Sequence, residues 1–269
     1  MYAFDYRRPT SLAEADRALK AISGAKILAG GQTLIPALRL RLNQPSCVVD
    51  LGAIAGLDGI VRKGGTLVIG AMATHAAVAQ SSDVASAIPA LAHLAEGIGD
   101  PQVRNRGTIG GSVANNDPAA DYPGAVLALN ATLKTNQRSI PADDFFKGLF
   151  ATALGENEIL TEIAFPIPKR FAYAKFPNPA SRFALVGVAV AETDAGVRVA
   201  VTGAGSNGVF RVPAMEAALK KSFTTDAVRN IKISPSDLTS DIHADAEYRA
   251  HLIGVMAKRA VEAAQVFKI

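Results

Sequence analysis

The chain has 269 residues, of which 49% are apolar and 19% charged, a composition typical of one large or two medium globular domains rather than of a disordered chain. Its formal net charge of +4 forms no Lys/Arg block interleaved with aromatic residues, so a nucleic-acid partner is not expected. No apolar stretch approaches the roughly 18 residues that span a membrane, and residues 1–8 lack the apolar segment of a signal peptide, so we expect a cytoplasmic protein.

The cysteine and histidine content restricts the chemistry. The single cysteine, Cys47, lies in an apolar run and is expected to be a buried small hydrophobe. One cysteine cannot hold an iron–sulfur cluster, which needs about four ligands, and the four histidines match no metal-binding spacing. We therefore predict no metal site, so any redox chemistry needs an organic cofactor.

Helices and strands alternate from the start of the chain. Ser11 and Glu14 form a capping box that opens a helix ending at about Ile22. A short strand at 26–29 ends at a pair of glycines and leads into a second helix at 33–42. The pattern then predicts strands at 48–51, 60–61, 67–69, 131–135 and 159–165, and helices at about 74–80, 88–98 and 123–130.

Between these elements, residues 99–121 are rich in Gly, Asn, Asp and Pro and show no clear periodicity, which predicts a long functional loop. A cluster of prolines marks a boundary near residue 167. Beyond it the pattern predicts a strand pair at 182–191 and 197–202 and helices at 213–221 and 244–265. The fold class is therefore α+β, with a larger N-terminal and a smaller C-terminal part.

The literal dinucleotide fingerprint, Gly-x-Gly-x-x-Gly, occurs once, at 203–208. In a Rossmann fold these glycines open the helix that holds the pyrophosphate. Here four residues intervene before Pro213 starts the helix. We therefore interpret 203–208 as an ordinary loop, which disfavours an NAD-dependent dehydrogenase.

Two other glycine-bearing segments are better candidates for a phosphate site. At 29–36 a strand meets Gly30-Gly31 and then a helix start, where Thr33 is expected to cap the helix. At 104–121, amides around Gly110-Gly111 are expected to form an anion nest, and Asp121 to accept hydrogen bonds from ribose hydroxyls. Two such segments indicate a dinucleotide bound outside a Rossmann fold.

These two segments, with 69–75 and 180–189, resemble the FAD-binding medium subunit of molybdenum hydroxylases of the carbon monoxide dehydrogenase and xanthine dehydrogenase type. The resemblance runs over nearly the whole chain. It implies a two-subdomain FAD-binding fold of the vanillyl-alcohol-oxidase (PCMH) type at 1–167, divided near residue 56, and a carbon monoxide dehydrogenase flavoprotein C-terminal domain at 168–269.

The resemblance also implies a set of cofactor-binding residues. Two loops would hold the pyrophosphate, Asp121 the ribose, Leu160 and Ile98 would contact the cofactor, and Lys175 would lie near the flavin and stabilise its negative charge on reduction. His75 would be structural, and no acid–base residue is expected. The implied set is Ile27, Leu28, Ala29, Gly30, Gly31, Gln32, Thr33, Leu34, Ile98, Thr108, Gly110, Gly111, Ser112, Asp121, Leu160 and Lys175.

In function, the resemblance implies a subunit that takes electrons from [2Fe–2S] clusters of a small subunit onto FAD and passes them to an external acceptor. A molybdopterin-containing large subunit would hydroxylate the substrate, and a heterohexamer is expected. Two alternatives remain: a self-sufficient flavin oxidoreductase of the same fold, for which 102 residues after 167 leave little room, and a scaffold that binds no FAD.

Overall fold

The computed structural model of the chain describes residues 1–266. Its strands are β1 Asp5–Arg7, β2 Lys26–Leu28, β3 Cys47–Asp50, β4 Ile60–Lys63, β5 Thr66–Gly70, β6 Thr132–Thr135, β7 Ser139–Pro141, β8 Phe146–Gly148, β9 Ala151–Thr152, β10 Leu160–Pro166, β11 Arg170–Pro177, β12 Ala184–Thr193, β13 Gly196–Thr202 and β14 Phe210–Arg211. Its helices are α1 Leu12–Ala21, α2 Leu34–Arg39, α3 His75–Gln80, α4 Ser82–Ala87, α5 Pro89–Glu96, α6 Pro101–Arg106, α7 Ile109–Asn115, α8 Tyr122–Ala128, α9 Ala142–Phe145, α10 Pro213–Lys221, α11 Thr225–Val228 and α12 Ala246–Val266.

The N-terminal layer is a three-stranded parallel sheet in the order β1-β3-β2, with α1 packed on it. The Ser11 hydroxyl accepts the amide of Glu14, as the capping box predicts, and the Glu14 carboxylate reaches back to the amide of Thr10. Cys47 is fully buried in the core of this layer, as predicted for a small hydrophobe. The carboxyl end of β2 leads directly into the first glycine pair.

The middle layer is a five-stranded antiparallel sheet in the order β4-β5-β10-β6-β7. It shares one hydrophobic core with helices α3 to α5, α7 and α8. Since β10 lies at the centre of the sheet, a strand late in the sequence completes a layer begun at residue 60.

The C-terminal layer is a four-stranded antiparallel sheet, β11-β12-β13-β14, covered on one side by the long helix α12. Helix α8 of the middle layer packs against β12 and β13, so this sheet lies between α12 and α8. The amide of Gly203 donates to the carbonyl of Pro118 at 2.7 Å, which adds a backbone link between the two layers. The predicted pairing of 182–191 with 197–202 is confirmed.

The prediction of a long irregular loop at 99–121 is wrong. This segment contains α6, which Asp100 caps and Pro101 opens, and α7, which Thr108 caps and which ends at Asn116 in the left-handed conformation (φ 45°). Glycines and short polar residues concealed both helices because each is only one or two turns long and is fixed by its caps rather than by an apolar face.

A further difference concerns the segment around residue 167. Strand β11 was not predicted, because prolines at 166, 168, 177 and 179 indicated a boundary; in the structure two of them end β10 and β11, and the other two lie two residues beyond. Residues 203–208 were predicted to form a loop that does not open a helix, and this is confirmed, since α10 begins at Pro213. No helix within residues 1–266 is both long enough and apolar enough to cross a membrane.

Candidate functional site

A cleft of about 710 Å³ runs between the three layers and is lined by both glycine pairs. This volume falls within the roughly 300–1,000 Å³ of small-molecule and cofactor sites. All the residues that the sequence assigned to the cofactor line it except Leu28 and Lys175. The lining set is Ile27, Ala29, Gly30, Gly31, Gln32, Thr33, Leu34, Ile98, Thr108, Gly110, Gly111, Ser112, Asp121 and Leu160.

The first turn, residues 30–34, presents unpaired backbone donors to the cleft. Within the described residues, none of its five amides donates to a protein acceptor, and α2 is closed only from the amide of Ile35 onward. Gly31 has a φ of +74°, which a side chain rarely adopts, and a Cβ on Gly30 would lie 2.0 Å from the carbonyl oxygen of Arg106. Thr33 makes no capping hydrogen bond, contrary to prediction, and its hydroxyl has no partner within residues 1–266.

The second turn, residues 108–112, differs, and the predicted anion nest around Gly110 and Gly111 is wrong. The amide of Gly110 donates to the carbonyl of Ala71 at 2.9 Å, and that of Gly111 to the Thr108 hydroxyl at 3.1 Å. A Cβ on Gly110 would lie 2.5 Å from the Cβ of Ala71. The glycines therefore let the backbone pack, and the hydroxyls of Thr108 and Ser112 are the side-chain polar groups that this turn offers.

Asp121 lies buried at the floor of the cleft, 4% exposed, with both carboxylate oxygens occupied. It accepts hydrogen bonds from the Tyr173 hydroxyl at 2.5 Å and the Lys175 ammonium at 2.9 Å, both donated from β11. Burial raises the pKa of Asp121, against the opposing effect of the Lys175 charge. Burial also raises the pKa of Tyr173, and the Asp121 charge adds to this effect.

The same network fixes the Lys175 side chain, whose predicted role near the flavin stays a prediction. Its ammonium group does not line the cleft but bridges Asp121 and the carbonyl of Gly97, which it meets at 2.9 Å. A buried carboxylate is a stronger partner for an ammonium than an open cleft is, because it compensates the loss of hydration. Lys175 therefore contacts a residue of the cleft wall, Asp121, without being one of the lining residues itself.

Sequence reasoning missed two groups of cleft residues. Ser181, Arg182 and Phe183 reach the cleft from the loop between β11 and β12; the Arg182 guanidinium donates to the carbonyl of Gly99 at 3.2 Å, and Phe183 remains 48% exposed. Glu158 also lines the cleft, and its carboxylate binds Arg138 at 2.9 Å. The hydrogen bond from Arg138 is the largest cause that lowers the pKa of Glu158 to about 2.

His75 was predicted to be structural, and it is buried, yet it is also one of the residues that line the cleft. Burial, with a smaller effect from the Arg104 charge, lowers its pKa to about 4, so the imidazole is neutral at pH 7. No sequence signal distinguishes this histidine from a core residue.

These features fit an elongated anionic cofactor with an apolar ring. The first turn supplies unpaired amides for phosphate, Ile98 and Leu160 supply apolar surface, and the glycines remove the side chains that would block close approach. Among the described residues, no group of His, Cys, Asp and Glu is placed to hold a metal ion.

Residues 2–168 match the family described as the FAD binding domain in molybdopterin dehydrogenase. The chain belongs to this family. The carbon monoxide dehydrogenase medium chain of Hydrogenophaga pseudoflava is 37% identical to it, over 97% of this chain and 96% of the relative. The nicotine 6-hydroxylase medium subunit of Paenarthrobacter nicotinovorans is 36% identical, over 96% of each.

Solved structures agree with this family assignment. A carbon monoxide dehydrogenase from Hydrogenophaga pseudoflava superposes with a TM-score of 0.89 at 36% identity, covering 100% of this chain and 99% of that chain. Quinoline 2-oxidoreductase from Pseudomonas putida 86 gives 0.87 at 31% identity, covering 98% and 97%. The predicted family, fold class, oxidoreductase class and FAD cofactor are confirmed.

Proposed function

We propose that this chain is the FAD-binding medium subunit of a molybdenum hydroxylase complex. In this role it takes electrons from the [2Fe–2S] clusters of a small subunit and passes them to an external acceptor, while a molybdopterin-containing large subunit binds the substrate. The observation that carries the proposal is the cleft wall of unpaired amides at residues 30–34 in a chain of this family. A heterohexamer and a cytoplasmic location remain predictions.

The chain's own residues bind and orient the cofactor. The amides of residues 30–34 and the hydroxyls of Thr108 and Ser112 would hold the pyrophosphate, because anions favour clustered donors. Ile98 and Leu160 would exclude water from the ring system. When bound, the isoalloxazine supplies the electron-transfer chemistry, and the protein supplies position and electrostatics.

Asp121 fits a ribose contact only in a restricted way. Tyr173 and Lys175 each donate to one carboxylate oxygen, and a carboxylate oxygen can accept a second hydrogen bond. We propose that Asp121 accepts a ribose hydroxyl in this way. Leu28 is not among the residues that line the cleft; a Cβ placed on Gly31 would lie 3.2 Å from its Cδ1 atom, so Leu28 packs close to the first turn.

For domains, we propose an FAD-binding unit at 1–167, with subdomains at about 1–56 and 57–167, and a C-terminal unit at 168–269. The three sheets support this division, since β10 ends at Pro166 and β11 begins at Arg170.

The relatives favour this function over a self-sufficient flavin oxidoreductase. They are named as medium chains or subunits, and they include carbon monoxide dehydrogenase, nicotine 6-hydroxylase and glyceraldehyde dehydrogenase proteins. Such similar chains in proteins named for such different substrates support the proposal that the other subunits determine substrate choice.

The test is a visible spectrum of the purified full chain, with and without added FAD, followed by co-expression with a molybdopterin-containing large subunit and a [2Fe–2S] small subunit of the same family. A flavin spectrum, and bleaching of that flavin by substrate only when both partners are present, is the expected result. Bleaching by substrate in the chain alone would favour the self-sufficient enzyme. Failure to take up FAD, alone or with partners, would contradict the proposal.

A further inference from the structure

His75 lies where the two turns meet. A Cβ placed on Gly107 would lie 2.6 Å from the imidazole Nε2 atom, and a Cβ on Gly30 would lie 2.7 Å from the Cα of Gly107. The imidazole and the first turn therefore both pack directly on the Arg106–Gly107 segment. The amide of His75 also donates to the carbonyl of Gly107 at 2.9 Å, which fixes the start of α3 against this segment.

Neither ring nitrogen of His75 has a partner among the described residues. Nδ1 is fully enclosed without a hydrogen bond, on a side chain that is only 5% exposed. Nε2 also has no partner among the described residues, but it is not an enclosed atom, and His75 is one of the residues that line the cleft. Because a polar group without a partner costs stability, a ligand in the cleft can relieve that cost at Nε2, the one ring nitrogen that is not enclosed.

We propose that His75 is a cofactor-binding residue whose Nε2 atom donates a hydrogen bond to a phosphate oxygen of the dinucleotide held by the first turn. This inference rests on the proposed function, because it needs FAD in the cleft. It adds a side-chain donor to a phosphate site that is otherwise built from backbone amides and hydroxyls.

The surroundings of His75 agree with a neutral donor. Its ring packs against that of Tyr122, with centroids 5.4 Å apart, and the Tyr122 hydroxyl is likewise enclosed and unpaired. Arg104 of α6 is the cation that acts on it, and the Arg104 guanidinium is held by the carbonyls of Ile98 and Gly99. The acidic residues on the same cleft are Asp117, Asp121, Glu156 and Glu158.

Two substitutions separate hydrogen bonding from packing. His75→Phe keeps an aromatic ring against Tyr122 and removes both nitrogens, whereas His75→Gln places an amide near the position of Nε2. His93→Gln, at an exposed histidine of α5, is the matched control. The probes are FAD and ADP, because ADP carries the pyrophosphate without the flavin.

Calorimetry on the full chain should show that His75→Phe weakens binding of both FAD and ADP by roughly tenfold or more. We expect His75→Gln to retain part of that affinity and His93→Gln to bind like the wild type. Unchanged binding by His75→Phe would overturn the inference, as would a loss for FAD alone, since the contact would then not be to phosphate.

A measurement on the wild type keeps the test independent of folding of the variants. In a ¹⁵N-histidine NMR spectrum, FAD binding should shift the His75 signals to those of a hydrogen-bonded Nε2–H tautomer. Signals that FAD leaves unchanged would contradict the inference while FAD binding itself stands. A wild-type chain that binds neither FAD nor ADP would instead contradict the proposed function.

Discussion

Two Gly-Gly pairs lie side by side in the wall of one cleft, and their backbone amides have different fates. In the part of the chain that the structure describes, the amides of Gly30 and Gly31 are unpaired, whereas those of Gly110 and Gly111 donate to Ala71 and Thr108. On the same side of the cleft as the second turn, the Asp121 carboxylate is also paired, with Tyr173 and Lys175 of β11. The same dipeptide therefore supplies ligand donors in one turn and close backbone packing in the other, and only the neighbouring acceptors decide which.

If the groups around the second turn are structural, breaking the ion pair between Lys175 and Asp121 should have the largest effect on stability. Lys175→Met leaves the buried Asp121 carboxylate without its cation, and we expect a loss of about 3–5 kcal/mol in the free energy of unfolding. Lys169→Met, which breaks the exposed pair with Asp194, should cost about 0–1 kcal/mol. Urea denaturation of both variants checks this, and equal losses would show that the Asp121 pair is no more structural than a surface pair.

The ion pair of the buried Glu158 carboxylate with Arg138 should make the free energy of unfolding depend on pH. The pKa of Glu158 is lowered from the ordinary 4.5 to about 2 in the fold, chiefly by Arg138, so its stabilising effect is complete above pH 4.5 and is lost as pH falls toward 2. We expect Glu158 to account for about 2–3 kcal/mol over this window. Glu158→Gln should flatten the profile, whereas Glu162→Gln, at the more exposed Lys134 pair, should leave it steep.

Gly110→Ala tests close packing in the second turn. The added Cβ would lie 2.5 Å from the Cβ and 2.6 Å from the carbonyl oxygen of Ala71, so we expect a loss of about 1–3 kcal/mol in unfolding free energy. Gly254→Ala, in α12 with nothing within 4 Å, should be neutral or stabilising. A Gly110→Ala protein as stable as the wild type would remove the argument for packing.

Gly31→Ala tests the first turn, with Gly64→Ala as its control, because both glycines have positive φ and Gly64 lies in the β4–β5 hairpin outside the cleft. Each should lose about 1 kcal/mol of stability. Only Gly31→Ala should also weaken FAD binding, by roughly tenfold, because the turn must shift away from Ile35. A fluorescence titration that finds equal affinities for the two variants would contradict the difference between the turns.

The sequence predicted most of the regular elements and the location of the cleft, for reasons visible in particular residues. The capping box at Ser11, the alternating strand at 197–202 and the glycine pair after 26–29 are local signals, and local physics determines them. Helices α6 and α7 were missed because their caps, not their periodicity, define them.

The hydrogen-bond partner of each polar group could not be predicted from local sequence signals. Nothing in the residues around Gly110 indicates that Ala71, 39 positions earlier, accepts its amide, or that Lys175 turns to Asp121 rather than to the cleft. His75 has the sequence surroundings of a core residue, and only its contact with Gly107 brings it to the phosphate side. These pairings are long-range, so they follow from the assembled layers.

The network of Asp121 with Tyr173 and Lys175 has a consequence for how this protein can be divided. The segment that matches the family, 2–168, ends before β11, which supplies both donors to Asp121. A fragment truncated there would expose an uncompensated carboxylate beneath its own cleft, together with the face of α8 that packs on β12 and β13. The segment that the family model matches, 2–168, therefore lacks part of the packing around Asp121. Moving the flavin site into another protein requires the C-terminal sheet as well.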